Sequence, residues 1–284
     1  MWPFRSRPIV PVLRFSGPIG MATPLRPGLT LAVAAGAIEK AFSCSRLGSV
    51  AVVINSPGGS AVQSHLIFRR IRRLANERKK KVYVFCEDVA ASGGYFLAVA
   101  GDEIYADPSS IVGSIGVIAA GFGFDKALTK LGIERRVYTA GECKGALDPF
   151  LPEKSEEVDR LAAIQKDVHD VFRGVVVERR RGKLAGNEAE LFSGAFWSGA
   201  RAVELGLIDG LSDLRTKMVE LHGDKVRFRP IPIGGGGLLA RLRRLPRISA
   251  PGDVTATGRA GQMRLGDDML STLEERALWQ RYGL

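Results

Sequence analysis

Val50-Ala51-Val52-Val53-Ile54-Asn55-Ser56-Pro57-Gly58-Gly59-Ser60 is an apolar run that ends in a glycine-dense turn. The arrangement recurs at Val82-Tyr83-Val84-Phe85, followed by Ala90-Ala91-Ser92-Gly93-Gly94-Tyr95. A short uninterrupted apolar run suits a strand buried on both faces. Between the two turns, Ile67, Ile71 and Leu74 fall at helical spacing over residues 61–76. The order therefore reads strand, glycine turn, helix, strand, glycine turn, helix. Parallel strands joined in this way form a right-handed crossover, and the fold class that follows is α/β with a largely parallel sheet.

Parallel neighbours deliver both glycine turns to one edge of the sheet, where ligands of open α/β folds bind. Glycine allows close approach and positive φ, so that backbone N–H groups can turn towards a common point and form an oxyanion pocket. Ser92 opens a helix predicted over residues 92–100, which places its side chain beside that pocket. A serine ahead of a helix is ordinarily an N-cap. The turn taken alone leaves cap and nucleophile both open.

Asn55-Ser56-Pro57-Gly58-Gly59, Ala91-Ser92-Gly93-Gly94-Tyr95, Ala106-Asp107-Pro108 and Ile111-Val112-Gly113-Ser114-Ile115-Gly116-Val117 occur in that order. In combination they resemble the protease IV or signal peptide peptidase A family, serine peptidases with a Ser–Lys dyad. The resemblance runs over roughly residues 9–221 and is strongest over residues 50–150. It implies the fold shared by Clp protease and crotonase, a ββα superhelix. It also implies Ser92 as nucleophile and, on Ala140-Gly141-Glu142-Cys143-Lys144-Gly145-Ala146-Leu147-Asp148, Lys144 as general base. The oxyanion hole then falls to backbone N–H groups of Gly59 or Gly58, together with Gly93. Peptide substrates and a ring-like homo-oligomer come with the resemblance, and no metal or cofactor does.

A lysine is protonated at neutral pH and accepts a serine proton only when desolvation or nearby positive dipoles lower its pKa. Glu142 and Asp148 flank Lys144 and would favour its charged form, so both are expected to point away from it. The histidines offer a rival Ser–His arrangement, but His65, His169 and His222 lie in no recognisable catalytic context, and His65 and His169 read as surface residues on helices. Cys44, Cys86 and Cys143 are scattered without metal-ligand spacing, which suits a reducing compartment.

Forty-one basic against thirty acidic residues give a net charge of +11, which favours anionic surfaces. Much of it gathers at Arg69, Arg70, Arg72, Arg73, Arg78, Lys79, Lys80 and Lys81, at and beyond the end of the predicted helix. Charge there complements the helix dipole, and the commoner reading is a solvated face. Without interleaved aromatic residues, nucleic acid is not an expected partner, whereas peripheral contact with an anionic membrane remains open. No stretch near the start has the apolar length of a spanning helix, so the anchor of many members of that family is not expected. The protein is expected in the cytoplasm or at a membrane surface.

Ile9-Val10-Pro11-Val12-Leu13 reads as a first strand, placed at an edge because of Pro11, and residues 30–42 as a helix. Further strands are predicted over residues 102–106, 111–119 and 135–139, and a short helix over 124–131. Residues 155–178 read as a helix capped by Ser155, with Leu161, Ile164, Val168 and Val171 as its apolar stripe. Composition shifts past Pro230. Pro232 and Gly234-Gly235-Gly236-Gly237 suggest a linker, and Leu238-Leu239-Ala240-Arg241-Leu242-Arg243-Arg244-Leu245 a basic amphipathic segment. The expected organisation is an extension over residues 1–8, one catalytic domain over 9–225, and a Gly/Pro-containing linker with a flexible basic tail over 226–284. The expected activity is endopeptidase cleavage of unfolded or short peptides, cleaved signal peptides among them. A crotonase-like acyl-CoA enzyme and a non-catalytic membrane-associated scaffold stand as alternatives.

Overall fold

The computed structural model describes residues 7–21, 28–141, 143–234 and 276–283. In chain order the described elements are β1 (Ile9–Ser16), α1 (Leu31–Ser43), β2 (Ser49–Ser56), α2 (Ala61–Glu77), β3 (Lys81–Ala91), α3 (Gly93–Ala98), β4 (Glu103–Ala106) and β5 (Ile111–Gly113). They continue with α4 (Asp125–Lys130), α5 (Ser155–Arg179), α6 (Glu188–Leu191), β6 (Phe196–Ser198), α7 (Gly199–Glu204), β7 (Gly210–Leu211), α8 (Leu214–His222) and β8 (Arg227–Ile231).

One sheet runs β6-β5-β3-β2-β1-β8, with β4 and β7 branching from β3. Every pairing is parallel except β5 with β6. The expected α/β class with a largely parallel sheet is what the chain adopts. Val50, Ala51, Val52, Val53 and Ile54 are all buried, as a strand covered on both faces requires. Helix α2 starts where the Ser60 hydroxyl accepts from the Gln63 N–H. It buries Ile67, Ile71 and Leu74 against the sheet, each worth about 1.5–3 kcal/mol when removed from water.

The branch in the sheet has a local cause. Between the pairs Ile54↔Cys86 and Ser56↔Ala90, β3 carries two more residues than β2. Asn55 fills the irregularity, accepting from the Val89 N–H at 3.2 Å and donating to Asp88 at 2.6 Å. The bulge re-aims β3, so its first half pairs with β4 and its last three residues with β5. Ala90 and Ala91 thus belong to the strand, and the second glycine turn begins only at Ser92.

Several expectations are corrected. β1 is not an edge strand, because β2 lies on one side of it and β8 on the other. Pro11 is accommodated because the β1–β2 ladder begins one residue later, at Val12, where a missing N–H costs nothing on that side. The sheet also continues past residue 225, since β8 lies in the stretch read as linker. Only Ile111–Gly113 of the strand expected over 111–119 forms, ended by positive φ at Gly113 and Ser114. No strand forms over residues 135–139.

Helix α5 takes Lys154, not Ser155, at its N-cap position. Its buried residues are Phe172 and Val176, while Ile164 and Val171 of the expected stripe are exposed. The cause is where the helix sits: its last turns pack on α3, Phe172 stacking on Phe96 with centroids 4.6 Å apart. Arg179 closes the contact by donating to the carbonyls of Val99 and Gly101. The earlier turns have no described element over them. The basic segment over residues 238–245 and the glycines at 235–237 lie outside the described residues.

Candidate active site

Ser92 stands between the end of β3 and the start of α3 with φ 52° and ψ −121°. A non-glycine residue in that region stores about 1–3 kcal/mol of backbone strain unless its surroundings hold it there. Here the Ser92 N–H donates to the Gly113 carbonyl at 2.8 Å, and its carbonyl accepts from the Phe96 N–H at 2.9 Å. Although Ser92 occupies the N-cap position, its side chain makes no capping bond. The ordinary use of a serine at this place is not the one made of it. Ser92 lines a cavity of about 840 Å³ together with Gly59, Gly93 and Ser114.

The two glycine turns meet at this point. Gly58 and Gly59 have φ of 109° and 136°, and a β-carbon on Gly93 would lie 3.3 Å from the Gly59 nitrogen. The Gly58 N–H is already donated to the Ser56 hydroxyl at 3.2 Å. No described residue accepts from the Gly59 N–H, and the Gly93 N–H opens α3, where an intrahelical acceptor is lacking. Packing here is tight enough to demand glycine. A β-carbon would come within 2.5 Å of the Ser64 hydroxyl at Gly93 and of the Ser56 carbonyl at Gly94.

Lys144 is placed elsewhere. It lies on an exposed turn, residues 143–147, and is not among the residues that line the Ser92 cavity. Asp148, its expected acidic neighbour, pairs with Arg135 at 2.6 Å, and Glu142 lies outside the described residues. Lys166 does line the cavity, but its ammonium is paired with Asp170 at 2.6 Å, which raises its pKa.

His169, read as a surface residue, also lines the cavity, with Nε2 3.2 Å from the Ile115 carbonyl. His65 lies beside Phe68 and Phe96, where burial and Arg69 lower its pKa. Burial likewise lowers His222. Among the described residues no group of three or more His, Cys, Asp or Glu is arranged to hold a metal ion.

Ser114 and Tyr282 were not legible as cavity residues. Ser114 sits inside a quoted motif without a role of its own, yet it is buried, has φ 54° and donates its N–H to Ala195. Tyr282 falls in the stretch read as tail, where no periodicity links it to the serine turn.

Comparison with known sequences matches residues 74–225 to the family model of peptidase family S49. The match spans more than half of the chain and takes in Ser92, Lys144 and the elements from α6 to β7. The chain belongs to peptidase family S49. Among S49 relatives, a putative protease of Synechocystis, slr0021, is 30% identical over 238 residues, covering 81% of this chain and 82% of that protein. A chloroplastic serine protease SPPA of Arabidopsis thaliana is 32% identical over 261 residues, 89% of this chain and 37% of that one. A Brucella abortus protein named Na(+)/H(+) antiporter NhaA is 55% identical over 277 residues, 97% of this chain. This chain spans only 37% of that protein's length. No helix among the described residues is long and apolar enough to cross a membrane.

Proposed function

We propose that this S49 chain is a serine endopeptidase in which Ser92 attacks the peptide carbonyl and Lys144 takes the serine proton. The Gly59 and Gly93 N–H groups receive the oxyanion. Collapse of the tetrahedral intermediate breaks the C–N bond, and the proton held by the lysine passes to the leaving amine. Water then attacks the acyl-serine by the same route in reverse, releasing the acid and restoring Ser92. The observation that carries this reading is the conformation of Ser92. A strained backbone holds an uncapped hydroxyl in a cavity beside two N–H groups without described acceptors.

The lysine is supplied, on this reading, by a neighbouring copy in a homo-oligomer. Among the described residues from 117 to 154 none is buried. Phe122, Leu131 and Tyr138 are 81%, 71% and 91% exposed. This arm contacts itself, through Phe124 on Phe150 and Arg135 over Phe150, and the first turns of α5 through Leu147 to Glu157. So much uncovered apolar surface on one arm is the mark of a face that another chain covers. Covering it would desolvate Lys144, the condition under which a lysine serves as a base. Substrates are peptides in extended form, small enough to enter a cleft walled by neighbouring copies, and the basic end of α2 suits contact with an anionic membrane.

A fluorophosphonate probe tests the reading. Wild-type protein is expected to label at Ser92, Ser92→Ala not at all, and Lys144→Ala at a small fraction of the wild-type rate. Failure of folded, assembled wild-type protein to label would overturn it.

A further inference from the structure

One hydrogen bond joins α5 to the wall of the Ser92 cleft across 54 residues of chain. His169 Nε2 lies 3.2 Å from the carbonyl oxygen of Ile115. A carbonyl only accepts, so Nε2 carries the hydrogen. His169 lines the same cavity as Ser92, and so do Gly116, Val117 and Ile118, the residues that follow the bonded carbonyl.

Ile115 is where the chain leaves the body. It is fully buried, whereas no described residue from 117 to 154 is buried. Two elements hold the segment around it. The Ser114 N–H donates to the Ala195 carbonyl at 2.7 Å, and a β-carbon on Gly116 would lie 3.0 Å from the Gly194 Cα. The second hold is His169 itself. One turn further along α5, Phe172 stacks on Phe96 of α3, the helix whose N-cap position Ser92 fills. His169 therefore ties the segment to a helix that is packed on the nucleophile's own. Beyond the tie, the backbone N–H and carbonyl groups of Val117 and Ile118 have no described partner. Unpaired backbone groups beside a cleft are what an extended peptide pairs with.

We propose that His169 is a positioning residue of this cleft: through the Ile115 carbonyl it fixes residues 116–118 where they pair with the backbone of a peptide bound beside Ser92. The inference deepens the reading of the cleft as a peptide site and rests on it. Loss of the Nε2 donor frees the segment at its junction with the arm. The penalty then falls on ligands long enough to reach residues 116–118, more than on the reaction at Ser92.

The test compares two diphenyl phosphonates that carry the same reactive group, one built on acetyl-leucine alone and one extended by three alanines. Their rates of labelling Ser92 are measured on full-length, assembled protein, and the ratio of extended to short is taken for each variant. That ratio is expected to fall about tenfold, the worth of one hydrogen bond, in His169→Leu and in His169→Asn, whose amide is too short to reach the carbonyl. His169→Gln, which keeps an N–H donor at the end of a longer side chain, should recover most of it. A general loosening of the fold slows both probes alike and leaves the ratio where it was. An unchanged ratio in the two variants without the donor would overturn the proposal, as would no recovery in His169→Gln or equal rates of both probes on wild type. Wild type that reacts with a fluorophosphonate but keeps its ratio without His169 sinks this inference alone, whereas wild type that reacts with no probe sinks the peptidase reading and this inference with it.

Discussion

The Tyr95 hydroxyl donates a 2.7 Å hydrogen bond to the carbonyl of Leu207, 112 residues further along the chain. Tyr95 is wholly buried and lies in the helix that begins behind Ser92, while Leu207 lies between α7 and β7. The bond fixes the helix that presents the nucleophile to the far side of the core. Tyr95→Phe keeps the packing and leaves the Leu207 carbonyl buried without that donor, which costs about 1–3 kcal/mol. Urea unfolding should show a lower midpoint with an unchanged slope, and an unchanged midpoint would remove the bond from the account of stability.

Gly93 and Gly94 are both crowded, but by different things. An added β-carbon at Gly93 meets the Ser64 hydroxyl, a side-chain atom, whereas at Gly94 it meets the Ser56 carbonyl, which is backbone. Gly93→Ala should therefore unfold early and regain much of its stability when combined with Ser64→Ala. That second change forfeits only the hydroxyl's bond to the Ser60 carbonyl, on the order of 1 kcal/mol. Gly94→Ala should gain nothing from Ser64→Ala. Thermal melts of the single and double variants decide the matter, and equal rescue at both sites would show the crowding argument to be wrong.

Burial pulls the Asp209 carboxyl upward, but hydrogen bonds from Arg180 and Lys183 outweigh it and hold the group below its ordinary value. Arg180 itself is 2% exposed and also donates to the Gly206 carbonyl. A depressed carboxyl contributes stability that is present above its unfolded value, about 3.9, and is lost as pH falls through the folded value. Asp209→Asn strands a buried guanidinium and should cost about 3–5 kcal/mol at neutral pH. The gap between wild type and variant should then narrow on acidification below pH 4. A gap constant with pH would mean that the carboxylate charge is not what matters.

Desolvation raises the Cys86 thiol to about 12, while Cys143 is exposed on the arm. Iodoacetamide at neutral pH should alkylate Cys143 in the native protein and reach Cys86 only after denaturation, as read by peptide mass spectrometry. Rapid native modification of Cys86 would mean that the β3 core opens far more readily than its burial implies.

What could be read in advance follows from where the information is stored. Local signals, such as the apolar run at residues 50–54 and the stripe of Ile67, Ile71 and Leu74, predict their elements because burial at those positions is dictated by the residues themselves. Ser92, Gly58, Gly59 and Gly93 were legible because glycine and serine types mark a turn with unusual backbone demands. The edge placement of β1 failed because pairing with β8 is non-local and Pro11 speaks only of its own N–H. The α5 stripe failed because the helix buries Phe172 and Val176 near its end instead, and no described element covers its earlier turns. His169 and Tyr282 reach the cavity through tertiary folding alone, and no spacing announces them.

The position of Lys144 makes a prediction that needs two proteins. In one chain the lysine stands on an exposed turn outside the Ser92 cavity, and the arm that bears it leaves its apolar side chains uncovered. If the arm of one copy completes the site of the next, Ser92→Ala chains still offer a lysine and Lys144→Ala chains still offer a serine. Neither should label appreciably with a fluorophosphonate probe when alone. After subunit exchange in an equal mixture, Ser92 of a Lys144→Ala chain is labelled whenever the neighbour that supplies its lysine is a Ser92→Ala chain. With random neighbours that is roughly one chain in four, and the label must sit on the Lys144→Ala chain, which a mass tag identifies. A mixture that stays unlabelled while wild type labels, with exchange verified by the tag, would mean that each lysine serves its own serine. The arm would then have to fold back onto its own cleft, and covering of Phe122, Leu131 and Tyr138 would accompany that movement rather than assembly.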